Sequence, residues 1–319
     1  MRSLLFLPVL FLLNLPGLLA QSRYLDFITD SVVAETYTYV VKDGKKLDLD
    51  VYFPATDSEQ RRPVFLYVHG GGFSGGTRNS VGIKDFCRKI AQRGYVAVSI
   101  SYRLTRAGTK TGFGCDCEAR EKLATFAAAV EDLHDATRFI AGRGEQFGID
   151  PERIILAGSS AGAETVLDAV YDQPLIATPQ MPAAYAGVIS MAGAIPDTAK
   201  ITNDRAIPSM FFHGTCDNLV PYGKASHRYC KPGQPGYLVL DGGQVIAEKL
   251  RRLGKPYWLH TTCGGDHALA GTPMTRYFDE MLRFCYDFVL NGKRDQIHTI
   301  IPGDHSCDYP AYNYCSDQR

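Results

Sequence analysis

Six short, continuous apolar runs constrain this chain more than any other feature: residues 63–68, 95–102, 153–157, 186–191, 209–212 and 257–261. Runs of this length and composition suit strands buried on both faces of a sheet. Between them, apolar residues recur at helical spacing over 81–93, 118–143, 161–171, 243–253 and 274–290. Strand followed by helix, repeated, predicts an α/β fold with a mostly parallel sheet and helices on both faces. Ahead of this pattern, residues 35–41 and 47–53 alternate apolar and polar around Asp43-Gly44, which predicts an antiparallel hairpin. No internal repeat and no Pro/Ser-rich linker divides the chain, so residues 21–319 are expected to form one domain, with 293–319 as a tail. Only residues 192–207 separate the fourth run from the fifth helical or strand signal. That is too short for a large helical lid, and an open site is expected.

Composition narrows the function classes. Lysine plus arginine number 34, and aspartate plus glutamate 34. With no basic excess, neither a phosphate backbone nor an acidic membrane surface is an expected partner. Hydrophobic residues at 45% and charged residues at 21% exclude a disordered chain. At the N-terminus, Met1 and Arg2 precede an apolar run over 4–13, then Pro16, Gly17 and Ala20. The run is shorter than the roughly 20 apolar residues a membrane span needs, and it resembles a secretory signal cleaved after Ala20. Leu18 is large for that cleavage site, which leaves an uncleaved anchor as the alternative. A secreted, periplasmic or cell-surface location is expected, with no stable membrane insertion once the signal is removed.

The nine cysteines, at 87, 115, 117, 216, 230, 263, 285, 307 and 315, all follow that segment. In an oxidising compartment several should pair, leaving an odd thiol. Cys115 and Cys117 are separated by one residue rather than the two to four of a zinc site, and no second pair matches them. No metal and no organic cofactor is expected.

The motif Gly-x-Ser-x-Gly occurs twice, at 158–162 and 72–76. Context separates the two copies. Ser160 lies between a strand signal and a helix signal, as a nucleophile on a sharp strand-to-helix turn must. Ser74 is followed by Gly75-Gly76-Thr77, with no helix. A serine nucleophile needs a base, and the base needs an orienting acid. Reading onward, Asp217 is the first acid after the run 209–212, and His267 follows Gly264-Gly265 after the run 257–261. The candidate set is therefore Ser160, Asp217 and His267. Among the rivals, His213 suits a structural role at a strand end, His260 a packed one within a strand, and His298 and His305 fall in the tail. Asp266 adjoins His267, and chain neighbours rarely align for an Asp–His hydrogen bond. After the run 63–68 comes His69-Gly70-Gly71-Gly72-Phe73, whose bare backbone can approach a ligand closely. The N–H groups of Gly71, Gly72 and Ala161 are the expected donors to an oxyanion. A phosphate loop would need lysine and Ser/Thr at set spacing, which are absent here.

These motifs, together with Tyr102-Arg103-Leu104 and residues 129–133, resemble the α/β-hydrolase serine esterases with an HGGG oxyanion loop. The likeness covers about residues 30–292. Within that group the chain is most similar to secreted bacterial carboxylesterases related to feruloyl and acetyl-xylan esterases. Ser159 stands where hormone-sensitive-lipase-like members carry an acid, a departure from that branch. The resemblance implies an α/β-hydrolase fold, a Ser-His-Asp triad, an acyl-enzyme intermediate, and a small or polysaccharide-linked ester as substrate. A serine peptidase of the prolyl-oligopeptidase kind would share the triad order but usually adds a propeller or cap. A non-catalytic binding module on the same fold would typically lose a triad member. If the triad forms, the loops carrying Cys216 and Cys263 must meet, so a Cys216–Cys263 disulfide is one expectation. Cys216–Cys230 is its local alternative, and Cys307–Cys315 could close the tail. The lone Trp258 is expected in the core.

Overall fold

The computed structural model describes residues 22–176, 183–304 and 306–316; the signal-like segment and His305 lie outside them. The chain opens with the hairpin β1 (Val32–Lys42) and β2 (Lys45–Pro54). Asp43 and Gly44 turn it with φ of 51° and 71°, the pair of positive values that a tight hairpin with right-handed twist requires. There follow β3 (Arg62–Val68), α1 (Val81–Ala91), β4 (Val96–Ile100), α2 (Ala119–Ala141), α3 (Gly144–Phe147), β5 (Ile149–Ser159), α4 (Ala161–Tyr171) and β6 (Tyr185–Met191). Next come β7 (Ala194–Ile195), β8 (Ser209–Gly214), β9 (Lys224–Ser226), β10 (Val239–Gly242), α5 (Gly243–Arg252) and β11 (Tyr257–Thr262). The described chain closes with α6 (Pro273–Arg276), α7 (Phe278–Arg283), a π-helical stretch Phe284–Leu290, β12 (Gln296–Ile301) and α8 (Asn313–Ser316).

Nine strands form the main sheet in the order β1-β2-β4-β3-β5-β6-β8-β11-β12. The hairpin joins β4 antiparallel, and every pairing from β4 to β12 is parallel. Side chains alternate across the strands and so feed two apolar layers. Val64, Leu66 and Val68 of β3 face a layer that includes Phe126 and Leu133 of α2, Val166 of α4 and Leu250 of α5. Phe65 and Tyr67 face the opposite layer, with Phe86 and Ile90 of α1 and Met281 of α7. Each such side chain contributes roughly 1.5–3 kcal/mol by leaving water. This is the layered architecture the apolar runs predict. Among the described residues no helix is long and apolar enough to cross a membrane.

Four expectations are corrected. The strand 257–261 is not the last of the sheet, because β12 pairs parallel to β11 along its whole length. The helix expected over 274–290 is broken at Tyr277, whose φ and ψ of −117° and 29° leave the helical region while its ring stacks on Phe212. None of the expected disulfides forms: the pairs are Cys115–Cys230, Cys216–Cys307 and Cys263–Cys315, with Cys87, Cys117 and Cys285 buried as thiols. The reason is the tail, which returns from β12 across the loops after β8 and β11 and so reaches both cysteines first. Trp258 is half-buried rather than fully in the core, with its indole N–H donating to Thr299 at 2.9 Å.

Candidate active site

Ser160, Asp217 and His267 stand just beyond the C-terminal ends of β5, β8 and β11, on one rim of the sheet. The turn at Ser160 is forced by its neighbours. Ser160 holds φ 52° and ψ −121°, a strained conformation for a residue with a Cβ, and its N–H donates to Met191 O at 2.8 Å. The flanking glycines leave room for that turn. A Cβ on Gly158 would lie 2.3 Å from Gly162 O, and one on Gly162 would lie 2.1 Å from Val68 O. The hydroxyl of Ser159, in the motif position beside the nucleophile candidate, is buried against Tyr67 OH at 2.9 Å.

The three side chains form one hydrogen-bonded chain. Ser160 Oγ lies 2.7 Å from His267 Nε2. His267 Nδ1 lies 2.7 Å and 2.9 Å from the two oxygens of Asp217. Asp217 is fully buried, and its Oδ1 also accepts the N–H groups of Leu219 and Val220 at 2.9 Å. Burial alone would raise its pKa, but hydrogen bonds from His213 and His267 outweigh it and hold the carboxyl well below the usual range. Asp217 is thus an anion at neutral pH, able to orient an imidazole and stabilise its protonated form. The two loops that carry acid and base meet through backbone: Cys216 N–H donates to Gly265 O at 2.9 Å, and Thr215 N–H to Thr262 O at 3.0 Å.

The rivals fall away for separate reasons. Asp266 accepts from Ala268 N–H and caps the turn after it. His260 is packed between Phe212 and Trp258. His298 sits on β12, bonded to Thr261 at 2.8 Å. His213 does contribute: its Nε2 lies 3.1 Å from Val220 O and 3.4 Å from Asp217, so it supports the acid from behind. Ser74 Oγ donates to Gly71 O at 3.2 Å and has no imidazole in reach.

The loop after β3 turns sharply beneath Ser160. Gly71 adopts φ 121°, and a Cβ there would meet Gly75 O at 2.2 Å, so only glycine fits. Gly72 adopts φ 59°. Tyr102 OH donates to His69 O at 2.9 Å, and the His69 ring lies against Tyr102, which fixes the start of the loop. Ala161 is the first residue of α4, where an N–H has no intrahelical acceptor. Gly71, Gly72 and Ser160 line one cavity of about 420 Å³ with His267.

Sequence reasoning missed the far wall of that cavity, which is formed by Phe113, Glu164, His227 and Arg228. Its roof is not the segment after β6. It comes from the loop before α2 and the segment between β9 and β10, tied together by Cys115–Cys230. Glu164 is 2% exposed, and burial, reinforced by nearby Asp168, pushes its carboxyl well above the ordinary value. His227 is equally buried and held well below its ordinary pKa, so it is neutral. Behind them, burial lowers Lys122 to about 8, and its ammonium donates to Gly236 O at 2.8 Å. The available signal was in α4: Glu164 and Asp168 are acids four apart on a helix that is otherwise apolar all round.

A mostly parallel sheet with helices on both faces, and a serine at the β5–α4 turn, define the α/β-hydrolase fold. Residues 49–173 match the family model described as BD-FAE. Esterase B1 of Culex pipiens is 34% identical over 121 residues, which cover 38% of this chain and 21% of that protein. Esterase LipI of Mycobacterium tuberculosis is 36% identical over 114 residues, covering 35% of this chain and 30% of that one. The chain thus spans only about a fifth to a third of the length of these curated relatives. Among solved structures, Thermogutta terrifontis esterase 2 phosphorylated by paraoxon superposes with a TM-score of 0.56 at 22% identity, covering 78% of this chain and 93% of that one.

Proposed function

We propose that this protein is a serine carboxylesterase. The observation that carries the reading is the chain Ser160 Oγ, His267 Nε2, His267 Nδ1, Asp217, with both links at 2.7 Å, beside a glycine-lined cavity. Ser160 Oγ attacks the ester carbonyl carbon while its proton passes to His267 Nε2. The carbonyl oxygen takes up the displaced electron pair and accepts N–H groups of Gly71, Gly72 and Ala161. Asp217 keeps the imidazole in the productive tautomer and offsets its charge. His267 then gives the proton to the alcohol oxygen as the C–O bond breaks, leaving an acyl group on Ser160. Water repeats the sequence, releases the acid and restores the serine.

The esterase relatives, the family match and the motif resemblance support an ester rather than an amide as substrate. The resemblance points further, to acetyl or feruloyl esters of carbohydrate. A panel of acetyl, butyryl, octanoyl and feruloyl esters would rank these. Three disulfides suit an oxidising compartment, which supports export of the chain. The test of mechanism is Ser160→Ala with a short p-nitrophenyl ester: hydrolysis at the wild-type rate in the variant would falsify the assignment.

A further inference from the structure

We propose that Arg228 recognises an anion on the substrate, so that the site favours esters bearing a carboxylate over neutral esters of the same size. The proposal rests on the esterase reading and adds the substrate's charge to it. Arg228 lines the cavity that holds Ser160 and His267. Its Nη2 lies 3.8 Å from the point that a Cβ on Gly72 would occupy, so the guanidinium stands beside the glycine loop.

Four other buried or half-buried guanidinium groups are paired with acids. Arg62 pairs with Asp57, Arg78 with Asp50, Arg103 with Asp132 and Arg106 with Glu121. Arg93 instead lies over the rings of Phe27 and Phe278. Among the described residues Arg228 has no carboxylate within ion-pair distance, and its buried Nε has no hydrogen-bond partner. A buried guanidinium donor without an acceptor is costly unless a ligand supplies one.

The groups around it do not cancel its charge. Glu164, the acid of the cavity wall, has its carboxyl pushed well up by burial and by Asp168, against the opposing pull of Arg228 and Lys122, and its ionised form is disfavoured. Its Oε1 stands 3.5 Å from His227 Nε2, and neither that oxygen nor His227 Nδ1 has a hydrogen-bond partner. His227 is neutral, and Lys122 adds no negative charge. Asp217 is taken up by His267, His213 and two backbone N–H groups. The cavity therefore presents an uncompensated cation next to two orphaned, buried polar groups.

The segment that carries Arg228 is also rigidly placed. Arg228 and Tyr229 hold φ of 56° and 52°, conformations that persist only where the surroundings impose them. Arg228 N–H donates to Leu219 O at 2.9 Å and His227 N–H to Leu238 O at 2.7 Å. Tyr229 stacks on Tyr309 at 3.8 Å, and Cys230 is bonded to Cys115. A planar guanidinium carried on a backbone held in this way suits bidentate capture of a carboxylate.

The carboxylate can belong to the acyl part or to the alcohol, and two substrate pairs distinguish them. Monoethyl adipate against ethyl hexanoate tests the acyl side, and 4-carboxyphenyl acetate against 4-acetylphenyl acetate the alcohol side. For each pair the readout is the anionic-to-neutral ratio of kcat/KM in wild type, Arg228→Gln and Arg228→Lys. The expected result is a fall of that ratio by about 10- to 100-fold in Arg228→Gln for one pair, with Arg228→Lys between. Ratios within twofold of wild type for both pairs would overturn the proposal. If Arg228→Gln does not fold, wild type decides: adipamate must inhibit at least tenfold more strongly than hexanamide, or 4-hydroxybenzoate at least tenfold more strongly than 4-hydroxyacetophenone, and equal inhibition within both pairs overturns the proposal. Failure of the esterase reading looks different, since neutral esters would then be left intact by wild type or still cleaved by Ser160→Ala.

Discussion

The two sides of the catalytic rim are held by different means. On the side of β3, β5 and α4, position is set by backbone sterics: glycines at 71, 158 and 162 let the oxyanion loop, the serine turn and the end of β3 approach to within contact. No cysteine of that side is bonded within it. On the side of β8 and β11, the loops carrying Asp217 and His267 are braced covalently, Cys216 to Cys307 and Cys263 to Cys315. The wall around Arg228 is braced in the same way through Cys230 and Cys115. The family match, residues 49–173, contains the first side together with the loop that bears Cys115. The difference teaches that the geometry around Ser160 and the glycine loop resides in the sheet itself, whereas the far wall of the cavity hangs on cross-links that the sheet does not dictate.

The comparison can be broken from either side. Ser160→Ala should have the largest effect, a loss on the order of 10⁴–10⁶ in kcat with the fold intact by circular dichroism. Gly71→Ala should come next, because its Cβ would collide with Gly75 O and distort the loop. We expect kcat for a short ester to fall about 10²–10³-fold, with a smaller change in KM. On the braced side, Cys216→Ser with Cys307→Ser should cost about 2–5 kcal/mol of stability, read from denaturant midpoints. Reduction of wild type, which opens all three disulfides, should cost more than this single pair, while a glycine-held side should respond to reductant no further than through this shared unfolding.

The smallest effect sharpens the comparison at Glu164, where the two sides touch. Its folded pKa is raised well above the ordinary value, so the unfolded chain ionises first as pH rises. Stability from this group is fully present below about pH 4 and is lost progressively above it. Glu164→Gln, which cannot ionise, should therefore gain thermal stability relative to wild type as pH goes from 4 to 8. A difference in Tm that stays flat across that range would mean that the Glu164 carboxyl is not raised.

The legibility of each side in the sequence follows from the same distinction. The strands of the parallel sheet are buried on both faces, and burial writes itself as an unbroken apolar run. The convergence of Ser160, Asp217 and His267 could be read because each follows such a run. β12 was not legible because it is an edge strand: only one flank pairs, and residues 296–301 are exposed or half-buried rather than uniformly apolar. The disulfides were not legible because their partners depend on the path of the tail, whereas the expected meeting of the Asp217 and His267 loops pointed to Cys216–Cys263, with Cys216–Cys230 equally open. His227 and Arg228 lie in a loop, where no periodicity marks which side chains turn inward. Lys122 sits on a helix whose pattern was legible, yet its burial came as a surprise because the loop bearing Gly236 folds over it.

The position of Cys307 and Cys315 in the order of synthesis has a consequence of its own. The clamp on the Asp217 loop needs the thiol at position 307 and the clamp on the His267 loop the thiol at position 315, both far along the chain from Ser160 and the glycine loop. Closure of these clamps therefore depends on residues made after the serine turn and on the oxidant they then meet, so a reduced molecule would carry Ser160 beside an uncross-linked His267 loop.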